Sequence, residues 1–172
     1  TLYHLPLARR LVETGGFGLA ENLRFPVFPL LAETLFASGL ALADARAAQM
    51  VSAVATLATA GVLAAWGRER FGASVLAYLP AALWLGHPIV VYASGTAYVE
   101  PLLAMFATAA WYAFDRWRRD PAPGWLIVAG LFVGWAAATK YLALPLAALL
   151  GVAVFATPSA RFRSLFRFSV GF

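Results

Sequence analysis

Side chains able to do acid–base or ion-binding chemistry are few in this chain, and most stand at the edges of apolar runs. Glu100 lies in Thr96-Ala-Tyr-Val-Glu-Pro101, at the mouth of the apolar stretch Leu102 to Phe114, with His87-Pro88 just upstream. Lys140, the sole lysine, precedes Tyr141; His4 follows Tyr3; Glu33 interrupts an otherwise apolar segment. An ionisable group costs about 2.5–3.5 kcal/mol at the bilayer midplane on insertion scales, and less toward the interface, so each of these is a candidate functional residue. A carboxylate or imidazole is suited to taking a proton from a hydroxyl. A lysine or histidine cation is suited to holding a phosphate as it departs.

Each residue also has a plainer reading. Glu100, with Pro101 at the first helical position, suits a helix N-terminus. Lys140 suits an interfacial lysine that snorkels to water. Glu33 suits an ion pair with Arg24 or Arg46. His87 suits an unremarkable interfacial position. His4, His87 and Glu100 lack the close ligand spacing of a zinc site, although a divalent metal stays compatible with phosphate chemistry.

The composition names the setting. Of 172 residues, 62% are hydrophobic and 12% charged, against about 45–50% and 25% in soluble domains, and the mean hydropathy is +0.76. An integral membrane protein is expected. The absence of cysteine removes disulfides and thiolate metal sites. The net charge of +5 comes from twelve arginines and one lysine against eight acids. The arginines fall in short tracts between apolar runs, where loop topology explains them better than nucleic-acid binding. The chain starts at Thr1 without a signal-like segment and ends within Phe168-Ser-Val-Gly-Phe172, and it reads as an internal piece of a larger protein.

The elements expected to position these groups are helices. The segment from Thr1 to Glu13 suits a helix on the membrane surface, with Leu7 and Leu11 on one face beside Arg9 and Arg10. Gly15-Gly16-Phe17-Gly18 ends it. Val27 to Ala43 is marginal against the roughly 20 residues a span needs, and reads as a juxtamembrane helix or a short span. Five clearer spans follow: Ala47–Trp66, Ala73 to about Val91, Tyr98–Phe114, Trp125 to about Thr139 and Leu142–Thr157. Gly130 and Gly134 in the fourth have the spacing that lets helices approach closely. The expectation is an all-α polytopic bundle, with residues 1–45 a first external loop carrying juxtamembrane helices and 46–172 a partial transmembrane region.

Placing Arg68/Arg70, Arg116/Arg118/Arg119 and Arg161/Arg163/Arg167 in the cytoplasm lets the five spans alternate without conflict. His87, Ser94, Tyr98, Glu100, Lys140 and Tyr141 then reach the outer face. Charge alone would put Thr1–Arg24 inside, by making Val27–Ala43 a span; its length, Pro29 and Glu33 argue the other way.

Several stretches carry a resemblance. Thr1-Leu-Tyr-His-Leu-Pro6 resembles the first external loop of GT-C membrane glycosyltransferases, in the style of protein O-mannosyltransferase-like and lipid A aminoarabinose transferase-like enzymes. Phe25-Pro-Val-Phe-Pro29 and the apolar helix after it resemble the family's second juxtamembrane helix. Trp66-Gly-Arg-Glu-Arg-Phe-Gly72 resembles its short cytoplasmic turn after the second span. Ala97-Tyr-Val-Glu-Pro101 matches a position where the family usually has Asp, and Gly134-Trp-Ala-Ala-Ala-Thr-Lys-Tyr141 resembles its Gly-x-x-x-x-Thr-Lys-Tyr/Trp stretch. Two departures stand out: Glu rather than Asp at position 100, and no lysine between Glu21 and Pro29.

The resemblance implies a GT-C-like bundle that transfers a sugar from a polyprenyl-phosphate carrier at the outer face of a bacterial plasma membrane. It implies that Tyr3 is the tyrosine of an Asp-Glu-x-x-Tyr pattern, with the main catalytic acid just before Thr1. Glu100 becomes a supporting acid, and Tyr3, His4, Tyr98 and Lys140 become substrate-binding candidates, with membrane lipids as neighbours and no nucleic acid. The first loop is then external. A rival of another class is a transporter or flippase-like fragment with Glu100 and Lys140 lining a path, which predicts an inverted repeat. None is evident in the five runs.

Overall fold

The structure, a computed structural model, describes residues 4–16 and 29–157. Among these residues it is all helical, with eight α-helices and two short 3₁₀ turns. Compactness divides the chain into two units, Thr1–Leu102 and Leu103–Phe172.

In the first unit, α1 (His4–Thr14) buries His4, Leu7 and Ala8, spaced i, i+3, i+4, and leaves Arg9 exposed. It packs against α2 (Leu31–Leu42), whose buried Ala32, Glu33, Phe36, Ala37 and Gly39 keep the same helical spacing. Gly15 closes α1 at φ 65°, a left-handed conformation that glycine adopts without a Cβ clash. At 12 residues α2 is about 18 Å long, too short for a hydrocarbon core of about 30 Å, which favours the juxtamembrane reading of this segment.

The next helix, α3 (Ala45–Phe71), begins at Asp44, whose carboxylate accepts the backbone N–H of Arg46 at 2.8 Å and of Ala47 at 3.1 Å. It continues past Trp66 through Arg68 and Arg70 and stops only at Gly72, with φ 65°. The turn expected from Trp66 to Gly72 is therefore helical until its last residue. Gly39 lets α2 meet α3 backbone to backbone, since a Cβ there would stand 2.8 Å from Ala48 Cα.

The expected span from Ala73 to Val91 is broken. A 3₁₀ turn at Val75–Tyr78, capped by the Ser74 hydroxyl, leads into α4 (Leu79–Gly86), and α5 (Pro88–Ser94) follows after a 64° bend. Pro88 is the cause. It has no N–H to give the preceding turn, and it holds His87 in extended geometry at φ −76°, ψ 123°.

The second unit takes most of α6 (Glu100–Arg119), then α7 (Pro123–Thr139), a 3₁₀ turn at Tyr141–Ala143 and α8 (Leu144–Ala156). Its core joins Ala110, Phe114 and Trp117 of α6, Leu126, Ala129 and Val133 of α7, and Leu150 and Val154 of α8. Near the end of α6, Asp115 takes an ion pair from Arg119 at 2.9 Å, and the Arg116 guanidinium lies 4.8 Å from the Trp125 ring centre. Pro80, Pro88, Pro123 and Pro145 sit in the first turns of their helices, where a missing N–H has no helical partner to lose.

Among the described helices, α3 alone is long and apolar enough to cross a membrane unbroken, and the bent α4–α5 pair satisfies the same test as one broken segment. Helices α2 and α7 and the stretch Tyr141–Ala156 are apolar but shorter.

Candidate functional site

The first unit brings together three side chains that lie far apart in sequence. His4 Nδ1 stands 2.7 Å from Glu33 Oε1, and both are buried, at 4% and 1% exposure. The imidazole meets the Tyr98 ring edge-on, with centroids 6.5 Å apart and planes at 72°. Each arrives for a local reason. His4 and Glu33 occupy the buried stripes of α1 and α2, and the apolar face of each helix carries its polar member inward.

Tyr98 lies in the connection between α5 and α6. Its N–H donates to the Thr96 carbonyl at 2.9 Å, and its own carbonyl accepts the Ser52 hydroxyl of α3, also at 2.9 Å. Ser52 belongs to a buried polar stripe on α3 with Thr56 and Thr59, whose hydroxyls return to carbonyls one turn back. Trp84 of α4 donates to the Thr56 carbonyl at 3.0 Å, tying that helix to the same stripe. The Tyr92 ring lies 6.1 Å from that of Tyr98.

Glu33 is a correction to the sequence reading. Its partner is His4 and not Arg46, which is exposed on the first turn of α3; Arg24 lies outside the described residues. The other carboxylate oxygen, Oε2, is buried with no hydrogen-bond partner among the described residues. Buried polar atoms are nearly always paired, so such an atom calls for a reason.

The remaining candidates fall as follows. Tyr3 lies outside the described residues. Glu100 is exposed and opens α6, two residues after Tyr98, with Pro101 next. Lys140 is half-buried at the junction of α7 and the following 3₁₀ turn and belongs to the second unit. His87 is exposed at the α4–α5 bend. Among the described residues no three His, Asp or Glu side chains converge as metal ligands. A cavity of about 290 Å³ beside α1 is lined by Leu5, Pro6, Arg9, Glu13, Leu40 and Ala45, with the buried His4–Glu33 pair not on its wall. Arg9 and Glu13 give that mostly apolar cavity one side chain of each charge.

Sequence reasoning missed Glu33 as the partner of His4, and it missed Ser52, Trp84 and Tyr92 as supports. The pair had a signal: one polar residue on each of two otherwise apolar helical stripes. The supports had none beyond their residue types.

Among the described residues the protein is all helical, with one unbroken helix able to cross a bilayer and a buried acid–imidazole pair in the first unit. The chain matches the family described as dolichyl-phosphate-mannose-protein mannosyltransferase over residues 26–170 and belongs to it, a GT-C-like group of integral membrane glycosyltransferases. It is also 52% identical over 52 residues to an uncharacterized protein of Shigella flexneri, a match covering 30% of this chain and 26% of that relative. No solved structure matches.

Proposed function

We propose that this chain is part of an enzyme that transfers a sugar from a polyprenyl-phosphate carrier to an acceptor at the outer face of a bacterial plasma membrane. Family membership supports glycosyl transfer and a lipid-linked donor. The observation that carries the reading to particular residues is the meeting of His4, Glu33 and Tyr98 beside the loop that delivers Glu100.

In this reading the five apolar runs span the membrane, the broken α4–α5 pair included, with the arginine tracts inside. Residues 1–45 form an external loop whose helices lie at the interface. The reaction breaks the bond between the sugar anomeric carbon and the phosphate oxygen and forms one to the acceptor oxygen. The acceptor's proton goes to a carboxylate base, which by family resemblance precedes Tyr3. Glu100 supports that base electrostatically, Tyr3, His4 and Tyr98 shape the substrate site, and Lys140 offers positive charge to the departing phosphate.

The test uses the full-length protein in lipid vesicles with a radiolabelled polyprenyl-phosphate-mannose donor and mixed peptide, lipid A and glycan acceptors. Label transfer that falls in Glu100→Gln and Lys140→Gln supports the reading. Single cysteines at Tyr98 and Lys140 should react with an impermeant thiol reagent from outside only. Reaction from both sides would favour a transport path and end the transferase reading.

A further inference from the structure

We propose that Glu33 is a positioning residue of the transferase site: it holds the His4 imidazole in one orientation with the proton on Nδ1, and through His4 and Tyr98 it steadies the loop that leads to Glu100. The inference rests on the transferase reading above and adds to it a residue whose work is done through another.

The α1–α2 interface has no structural need for this pair. Leu7 and Ala8 of α1 and Ala32, Phe36 and Ala37 of α2 already bury apolar surface where the helices pack, and an apolar couple of similar volume would hold two helices together about as well as a buried polar pair does. Glu33 is buried almost completely, yet its Oε2 has no partner among the described residues, so the carboxylate is desolvated for a single hydrogen bond. A side chain kept on those terms points to function rather than to holding helices together.

The chemistry of the contact defines that function. An ionised carboxylate only accepts hydrogen bonds, so a 2.7 Å contact from Nδ1 requires the proton on Nδ1. The tautomer and the ring plane are then both fixed. The same logic operates where a buried carboxylate orients a catalytic imidazole.

The ring so held presents its face or edge to Tyr98, whose backbone is anchored from the opposite direction by Ser52 of α3. The segment before Glu100 is therefore fixed from two sides, by α3 through a hydroxyl and by α1–α2 through the pair. Glu33 of α2 and Tyr98, two residues before α6, both contact His4.

The experiment compares Glu33→Leu, Glu33→Gln and the double variant His4→Leu/Glu33→Leu with wild type, in the full-length protein in lipid nanodiscs. Sugar transfer from polyprenyl-phosphate-mannose gives kcat and KM, thermal melting gives folding, and ¹⁵N NMR gives the His4 tautomer. The double variant should melt near wild type and Glu33→Leu below it, since the latter leaves a buried imidazole without its carboxylate, while in both kcat falls about tenfold or more with donor KM unchanged, as a small misplacement of a site group produces. Glu33→Gln, which keeps an oxygen for Nδ1–H, should recover much of kcat. The His4 signals should show the Nδ1–H form in wild type and mixed tautomers in Glu33→Leu.

A stably folded double variant with wild-type kcat overturns the proposal, and so does an unchanged His4 tautomer in Glu33→Leu. If Glu33→Leu fails to fold, the double variant decides, because it leaves no lone charge buried. A wild-type protein inactive with every lipid-linked sugar sinks the transferase reading instead, and the tautomer comparison then decides the positioning role independently.

Discussion

Two glycines on one helix should respond oppositely to the same substitution. Gly67, near the end of α3, is buried against the 3₁₀ turn at Val75–Tyr78. A Cβ built there would overlap the Ala77 carbonyl oxygen and lie 2.8 Å from its carbon and 3.2 Å from its Cα, all of them backbone atoms that no rotamer change can move aside. Carbon atoms in comfortable contact stand about 3.5–4.0 Å apart, so α3 and the turn must part by roughly 1 Å. Overpacking of that kind costs about 1–3 kcal/mol, and clashes with backbone belong at the upper end. Removing a helical glycine returns about 0.8–1 kcal/mol, leaving Gly67→Ala destabilised by about 2 kcal/mol. Gly61, six residues earlier, has nothing within 4 Å of its would-be Cβ and is exposed. There only the propensity gain remains, so Gly61→Ala should be stabilised by up to about 1 kcal/mol. Thermal melting of both variants in one detergent reads the difference, with about 2–4 °C per kcal/mol for a chain of this size. A Gly67→Ala variant as stable as wild type would refute the close approach of α3 to the turn, and shifts of the same sign in both variants would refute the reasoning about Cβ space.

Other substitutions test separate parts of the fold. Asp44→Ala removes the N-cap of α3 and should cost about 1 kcal/mol by melting, while Asp44→Asn keeps most of the stability. Ser52→Ala takes away the hydroxyl that the Tyr98 carbonyl accepts; it should cost about 1 kcal/mol and raise proteolysis between residues 95 and 99, and unchanged cleavage there would remove Ser52 as an anchor. Leu150→Ala opens the core of the second unit and should cost about 2–5 kcal/mol, whereas its exposed neighbour Leu149→Ala should change stability far less; equal losses would contradict the assigned face of α8.

Much of the helical order was legible because apolar periodicity and punctuation are local. Gly15-Gly16 after a short amphipathic run marks an end by residue chemistry alone. The end of α3 was misread because Gly67 looks like a stop. Inside a helix with Arg68 and Arg70 favouring the negative C-terminal end, that glycine instead supplies room for Ala77. The break at His87 was written in Pro88, but its 64° angle depends on how α4 and α5 pack, which no single stretch of sequence contains. The supports of Tyr98 were illegible for the same reason: Ser52 and Tyr98 are 46 residues apart, and a serine on an apolar helix does not announce which carbonyl it will meet.

The His4–Glu33 pair lies between these cases. Each helix taken alone presents a contradiction, because helical spacing puts His4 on the stripe with Leu7 and Ala8, and Glu33 on the stripe with Phe36 and Ala37. A buried imidazole without a partner and a buried carboxylate without a partner are both costly. Two such contradictions of opposite chemistry, on helices that pack together, resolve each other if the stripes face. Pairing Glu33 with Arg24 or Arg46 treated the carboxylate as a surface charge in search of the nearest arginine. The stripe position says it is an interior group, and among the described residues of α1 and α2 the buried His4 side chain is the one that meets it.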